Sequence, residues 1–170
     1  MGPYASLKEL HAFTTTIWWG GQHFTAREVI SRWDVLEVHQ RATANTVAEF
    51  LDILLARMPL RVKAIQVYGG TEYRAGFNEA CQRLGLKLFV LPPHSPKPNG
   101  RVERAYRTHL EEFYAVIPDS PQLDKLNIAL YKWEWVYNQI RPHQALDYLT
   151  PAEYIRKYHP NVTSIKSHKY

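Results

Sequence analysis

The chain has 170 residues and a mass of 19.9 kDa, with 45% hydrophobic, 22% charged and 13% aromatic residues. That length suits one domain, the 5 Trp, 11 Tyr and 6 Phe exclude a disordered tail, and no apolar run approaches the roughly 20 residues needed to span a bilayer. Lys and Arg outnumber Asp and Glu by 21 to 16, giving +5 and a pI near 9.3, an excess that points to a polyanion only once its position is known.

The N-terminus, MGPYASLKELH, lacks the charged-then-apolar order of a signal peptide, and a single cysteine, Cys81, excludes an internal disulfide. A cytoplasmic protein with no membrane partner is expected. LHAFTTTI (10–17), HFTAREVIS (23–31) and WDVLEVH (33–39) read as a meander of strands, punctuated by Gly20-Gly21. The period then changes. Val47, Phe50, Leu51, Leu54, Leu55 and Met58 share one helical face, with Thr46 and Glu49 at capping-box spacing and Pro59 as the stop. VKAIQVY (62–68) reads as a buried strand, Ala75 to Leu84 as a helix, and LKLFVL (86–91) as another buried strand.

PPHSPKPNG (92–100) holds four prolines and is expected to be an extended loop, with Asn99 capping a helix from Gly100 to Tyr114. The apolar face of that helix is expected to be Val102, Tyr106, Leu110 and Phe113. A further helix from Gln122 to Gln139 carries Leu123, Leu126, Leu130, Trp133 and Tyr137, and a short one follows Thr150-Pro151. Strands in meander, then helix, strand, helix, strand, predict an α/β fold with a mixed sheet flanked by helices.

SPKPNGRVERAYRTHLEEF (95–113) and YNQIRPHQAL (137–146), in this order after VKAIQVYGG, resemble the catalytic core of DDE transposases and retroviral-type integrases, in the bacterial insertion-sequence branch related to IS3 and IS481. The resemblance implies an RNase H-like fold with a five-stranded mixed sheet, an antiparallel meander followed by parallel strands. It implies a core over residues 10–158, with a short extension before it (1–9) and a tail after it (159–170). The transposases of this group carry an N-terminal helix-turn-helix that is not seen here.

Family members hold two Mg²⁺ or Mn²⁺ ions with two aspartates and a glutamate, hard oxygen donors that suit such cations. Carried onto this sequence, the glutamate is Glu103, while the aspartate positions hold Phe13 and Tyr68. The resemblance therefore implies integration or transposition chemistry, and the two aromatics imply that it is lost and that no metal is bound. A phenyl ring has no lone pair to offer, and a phenol with a pKa of about 10 is a poor ligand at neutral pH. Glu72, Glu28 and Asp34 are the carboxylates that remain to rescue a site around Glu103, with Glu72 and Glu103 as the metal candidates. Read alone, Glu103 would simply pair with Arg107 one helical turn on.

Lys97, Arg101, Arg104 and Arg107, with His94 and His109, gather on the Pro-rich loop and the following helix, where the family meets the DNA backbone. The alternative is a solvated charged face. A non-enzymatic DNA-binding or dimerising module on the same scaffold is the second reading, with the Trp133-Glu134-Trp135 helix as a homodimer candidate. Arg141, Pro142 and His143 match a family hallmark that either fixes the last long helix or touches a ligand. Neither the histidines nor Cys81 shows zinc-ligand spacing, and Cys81 reads as packing.

Overall fold

In the computed structural model, the residues described are 14–20, 23–68, 74–91, 96–117, 122–162 and 165. The strands are β1 (Thr14–Gly20), β2 (His23–Glu28), β3 (Asp34–Val38), β4 (Ala64–Tyr68) and β5 (Lys87–Leu91). The helices are α1 (Ala44–Arg57), α2 (Arg74–Arg83), α3 (Pro96–Glu112), α4 (Leu123–Gln139) and α5 (Pro151–Tyr158). Single 3-10 turns cover Tyr114–Val116 and Gln144–Leu146.

The five strands form one sheet in the order β3-β2-β1-β4-β5. β1, β2 and β3 pair antiparallel, and β1, β4 and β5 pair parallel, so the meander feeds a parallel half as expected. Alternation along the strands makes two cores. One face carries Phe24, Ala26, Val35, Ile65 and Val67, covered by Phe50, Leu51 and Leu54 of α1, Phe77 and Cys81 of α2, and Ile155 of α5. The other carries Leu36 and Val38 under Phe113 and Leu130. Among the described residues no helix is long and apolar enough to cross a membrane.

Several element ends differ from expectation, each for a local reason. β2 stops at Glu28 rather than Ser31 because the Glu28 carboxylate turns back to accept from the backbone N–H of Ile30 and of Ser31, the latter at 2.5 Å. Arg32 then sits at φ 62, which closes the β2–β3 turn. α1 is capped by Thr43 with Thr46 as its reciprocal partner, one turn before the expected Thr46–Glu49 box. The Pro-rich segment is the larger correction: α3 starts at Pro96, not at Gly100. The first N–H groups of a helix have no intrahelical acceptor, so Pro96 and Pro98 in the first turn cost no hydrogen bond. Residues 10–13 of the first expected strand lie outside the described residues.

The buried stripe of α3 is also rotated from the one the hydropathy pattern predicts. Ala105, His109 and Phe113 are buried, whereas Leu110 is exposed and Tyr106 only half-buried. Likewise α4 buries Leu130 and Tyr137 together with Glu134 and Asn138, and leaves Leu123 exposed.

Those polar residues of α4 have a definite task, because β3 is an edge strand whose outward backbone groups lack a neighbour. Asn138 accepts from the Asp34 N–H at 2.9 Å and donates to the Asp34 carbonyl at 2.7 Å. Asn127 does the same for Val38, with both bonds at 2.8 Å. Between them Glu134 accepts from the Leu36 N–H at 2.8 Å, and Arg57 donates to the Leu36 carbonyl at 3.2 Å and to Glu134 at 2.9 Å. The helix side chains thus stand in for a sixth strand, and they lock α4 against the sheet.

Candidate functional site

Under α3 and α4, the second face of the sheet holds a buried polar cluster centred on Asp34. Arg27 donates to Asp34 through Nε and Nη2, both at 2.7 Å, and also to the Tyr137 hydroxyl. Burial alone pushes the Asp34 carboxyl up, but the Arg27 charge and the His109 and Arg27 hydrogen bonds outweigh it and hold Asp34 at about 2. Tyr137 is pushed up to about 12, chiefly by burial.

His109 is fully buried between Asp34 and Trp133. The indole N–H can only donate, so at 3.0 Å from Nδ1 it makes that nitrogen an acceptor. The proton therefore sits on Nε2, 3.0 Å from Asp34 Oδ2, and the ring is neutral. Burial lowers the His109 pKa, in keeping with this tautomer. His23, bonded to the Tyr114 hydroxyl at 2.6 Å and the Thr25 hydroxyl at 2.8 Å, is pushed down to about 3 by burial and by His109.

Beside this cluster opens a cleft of about 810 Å³ between α3, the β2–β3 turn and the loop after α4. Arg27, Arg32, Arg104, Arg141 and His143 line it, together with the exposed ring of Tyr148. Arg141 is tied back to Glu112 of α3 by two bonds, at 2.8 and 2.6 Å, so the hallmark segment braces the end of α4 against α3. Its second half also faces the cleft. The bracing reading of Arg141-Pro142-His143 is the one these contacts show.

The residues singled out in the sequence are distributed as follows. Glu103 is exposed on α3 and forms no ion pair with Arg107 among the described residues. Tyr68 is the last residue of β4, in register with Leu91 of β5. Lys97, Arg101, Arg104 and Arg107 all belong to α3, with Arg104 and Arg107 exposed. Arg104 lines the cleft. His109, grouped with them by position, is instead buried and neutral. Phe13, Glu72 and His94 lie outside the described residues.

Glu28 and Asp34 are both buried, Glu28 accepting from backbone N–H groups and Asp34 paired with Arg27 and His109. Among the described residues, no three His, Cys, Asp or Glu side chains stand together as a metal set. Arg27, Arg32 and Tyr148 were not singled out, since they come from separate segments. The polar positions 127, 134 and 138 inside an otherwise apolar helical stripe were a readable signal that α4 meets backbone groups rather than only side chains.

Comparisons with known proteins agree with this geometry. Residues 84–151, from the end of α2 through the loop after α4, match the family described as an integrase core domain. Two transposases named InsD, from the insertion elements IS2E and IS2D of Escherichia coli strain K12, are each 32% identical over 89 residues, or 52% of this chain. The catalytic core domain of BIV integrase superimposes with a TM-score of 0.71 at 22% identity, covering 88% of this chain and 98% of that one.

The chain is similar to DDE transposase/integrase cores.

A second integrase-type structure, from a simian T-cell lymphotropic virus intasome, also gives a TM-score of 0.71, at 18% identity over 93% of this chain and 58% of that one. At such identities the structural matches establish the RNase H-like fold. The sequence match spans 40% of the IS2E transposase and 29% of the IS2D one. The matched segment contains α3, α4 and the Arg141-Pro142-His143 loop, which supply His109 and Tyr137 to the Asp34 cluster and Arg104 and Arg141 to the cleft.

Proposed function

We propose that this core, spanning residues 10–158, binds DNA through the cationic side of α3 and has lost metal-dependent strand transfer. The observation that carries the reading is Tyr68 at the C-terminal end of β4, where the family resemblance calls for an aspartate. Phe13 stands at the other aspartate position, so the set is one carboxylate, a phenol and a phenyl ring. That set does not fit two hard dications. Glu103 brings one negative charge, and the rings bring none at neutral pH. The buried commitments of Glu28 and Asp34 support the same conclusion.

DNA binding is supported by Lys97, Arg101, Arg104 and Arg107 on one helix and by the relation to insertion-element transposases. Such contacts position the phosphate backbone without reading bases. A role as a non-enzymatic DNA-binding partner, alone or as a homodimer, follows from the same loss.

The test is fluorescence anisotropy of a labelled duplex across a salt series, beside a nicking assay with Mn²⁺. The expected result is salt-dependent binding without nicking, with Mn²⁺-dependent nicking appearing in the Phe13→Asp, Tyr68→Asp double variant. Nicking by the unaltered chain would overturn the loss of catalysis. Absence of binding at low salt would overturn the DNA role.

A further inference from the structure

The geometry points to the arginine cleft as a site for a single-stranded segment of DNA, with a backbone phosphate at Arg104 and Arg141 and an unpaired base stacked on Tyr148. This rests on the reading that the chain binds DNA, and it names the form of DNA that the cleft takes.

Three observations carry it. The first is shape: about 810 Å³ lies within the roughly 300–1,000 Å³ of pockets that take a small ligand. The second is charge. Four arginines line the cleft, and none of its described lining residues is Asp or Glu. Asp34 behind Arg27 and Glu112 beside Arg141 offset part of that charge. They leave the share of Arg104, which is exposed and in no ion pair among the described residues. Guanidinium groups are the side chains best matched to phosphate oxygens.

The third is Tyr148, 68% exposed on the wall of the cleft. Its φ is 63, directly after Asp147 at φ 53, so two successive residues with a β-carbon occupy the left-handed region. The loop holds them there. The His143 N–H donates to the Leu149 carbonyl and the Tyr148 N–H to the His143 carbonyl, both at 3.0 Å, and the Asp147 N–H donates to the Gln144 carbonyl at 3.2 Å. Left-handed backbone that presents a large ring to solvent gains nothing for the apolar core. Strain of that kind gathers where a ligand is clamped. A phosphate-matched groove beside an aromatic face is the combination that single strands use, because a base in a duplex has both faces covered.

The experiment compares a fluorescein-labelled oligothymidylate with a blunt duplex of the same length, using the full chain and two variants. Tyr148→Gly removes the ring and suits the left-handed backbone, so folding is not at risk; Arg104→Gln changes an exposed side chain. Tyr158→Ala, an exposed ring on α5, is the control.

Tyr148→Gly is expected to weaken oligothymidylate binding by roughly tenfold or more while leaving the duplex affinity within about twofold. Arg104→Gln is expected to reduce the slope of log affinity against log salt by about 0.7 for the single strand. An oligonucleotide carrying 5-iodouracil is expected to photocrosslink to Tyr148. Unchanged oligothymidylate affinity in Tyr148→Gly, or crosslinks confined to Lys97 and Arg101, would overturn the assignment while leaving duplex binding intact. Failure of the unaltered chain to bind either probe at low salt would overturn both readings.

Discussion

Lowering the pH from about 7 to about 4.5 removes stability from this fold through its histidines before its carboxylates respond. His23, His109 and His143 are buried, and burial lowers the pKa of each below the ordinary 6.5, His23 to about 3 and His143 to about 4. For His23 the His109 ring adds to the shift and Asp34 opposes it; for His143, Asp34 opposes it. Below pH 6.5 the unfolded chain takes up a proton at each of these positions, and the folded chain does not. The unfolded state then holds more protons, so stability falls with each further drop in pH until the folded pKa is reached.

At about 1.4 kcal/mol per unit per group, two units of pH cost about 2–3 kcal/mol for His23, and less for His143, which solvent screens more. The His23 share alone is a sizeable part of the total of about 5–15 kcal/mol for a domain of this kind. Asp34, held at about 2, keeps its charge throughout this window. Glu28 works in the other direction: burial raises its pKa against the hydrogen bonds from Ser31 and Ile30, so its penalty is relieved as pH falls through the raised value towards 4.5.

Urea unfolding followed by tryptophan fluorescence reads the effect, since Trp33 is buried and Trp133 touches His109. Stability should decline steadily below pH 6.5, and His143→Gln should reduce the slope by about one proton. A flat profile between about pH 7 and pH 5 would refute the assignment of these rings as buried and neutral.

Restoring both carboxylates, Phe13→Asp with Tyr68→Asp, should lower the melting temperature in metal-free buffer, because two charged groups replace two apolar rings. Added Mn²⁺ should raise it again, and an unchanged or higher metal-free melting point contradicts the idea. Asn138→Ala strips the cap from both backbone groups of Asp34 and should cost about 2–4 kcal/mol in urea unfolding. Light scattering should then show concentration-dependent association through the exposed edge, and monodisperse behaviour at full stability would exclude the strand-mimic role. Trp133→Phe leaves His109 Nδ1 without its donor and should raise the His109 pKa, as NMR titration of that ring would show; an unchanged titration means the tautomer is set elsewhere.

The order of strands and helices was legible because period-2 and period-3.6 patterns report which faces are buried, and the helix at Val47–Leu54 is as clear in the chain as in the fold. The start of α3 was not, since proline is excluded from a helix interior but not from its first turn, and a local reading of 92–100 cannot tell where that turn falls.

His109 looked like a surface cation because nothing adjacent in sequence announces Trp133, 24 residues on, or Asp34, 75 residues back. The same distance hid the purpose of Asn127, Glu134 and Asn138, whose partners lie on an edge strand about ninety residues upstream or more.

By itself the sequence determined the family resemblance and the chemical identity of the would-be ligands: Phe13, Tyr68 and Glu103 are what they are whatever their surroundings. Only the tertiary structure decided which charges are free to meet a ligand. Asp34, Glu28 and His109 were withdrawn into the interior, and arginines from three separate segments were drawn to one cleft. Burial and pairing are properties of neighbours in space, and the chain brings those neighbours together only when it folds.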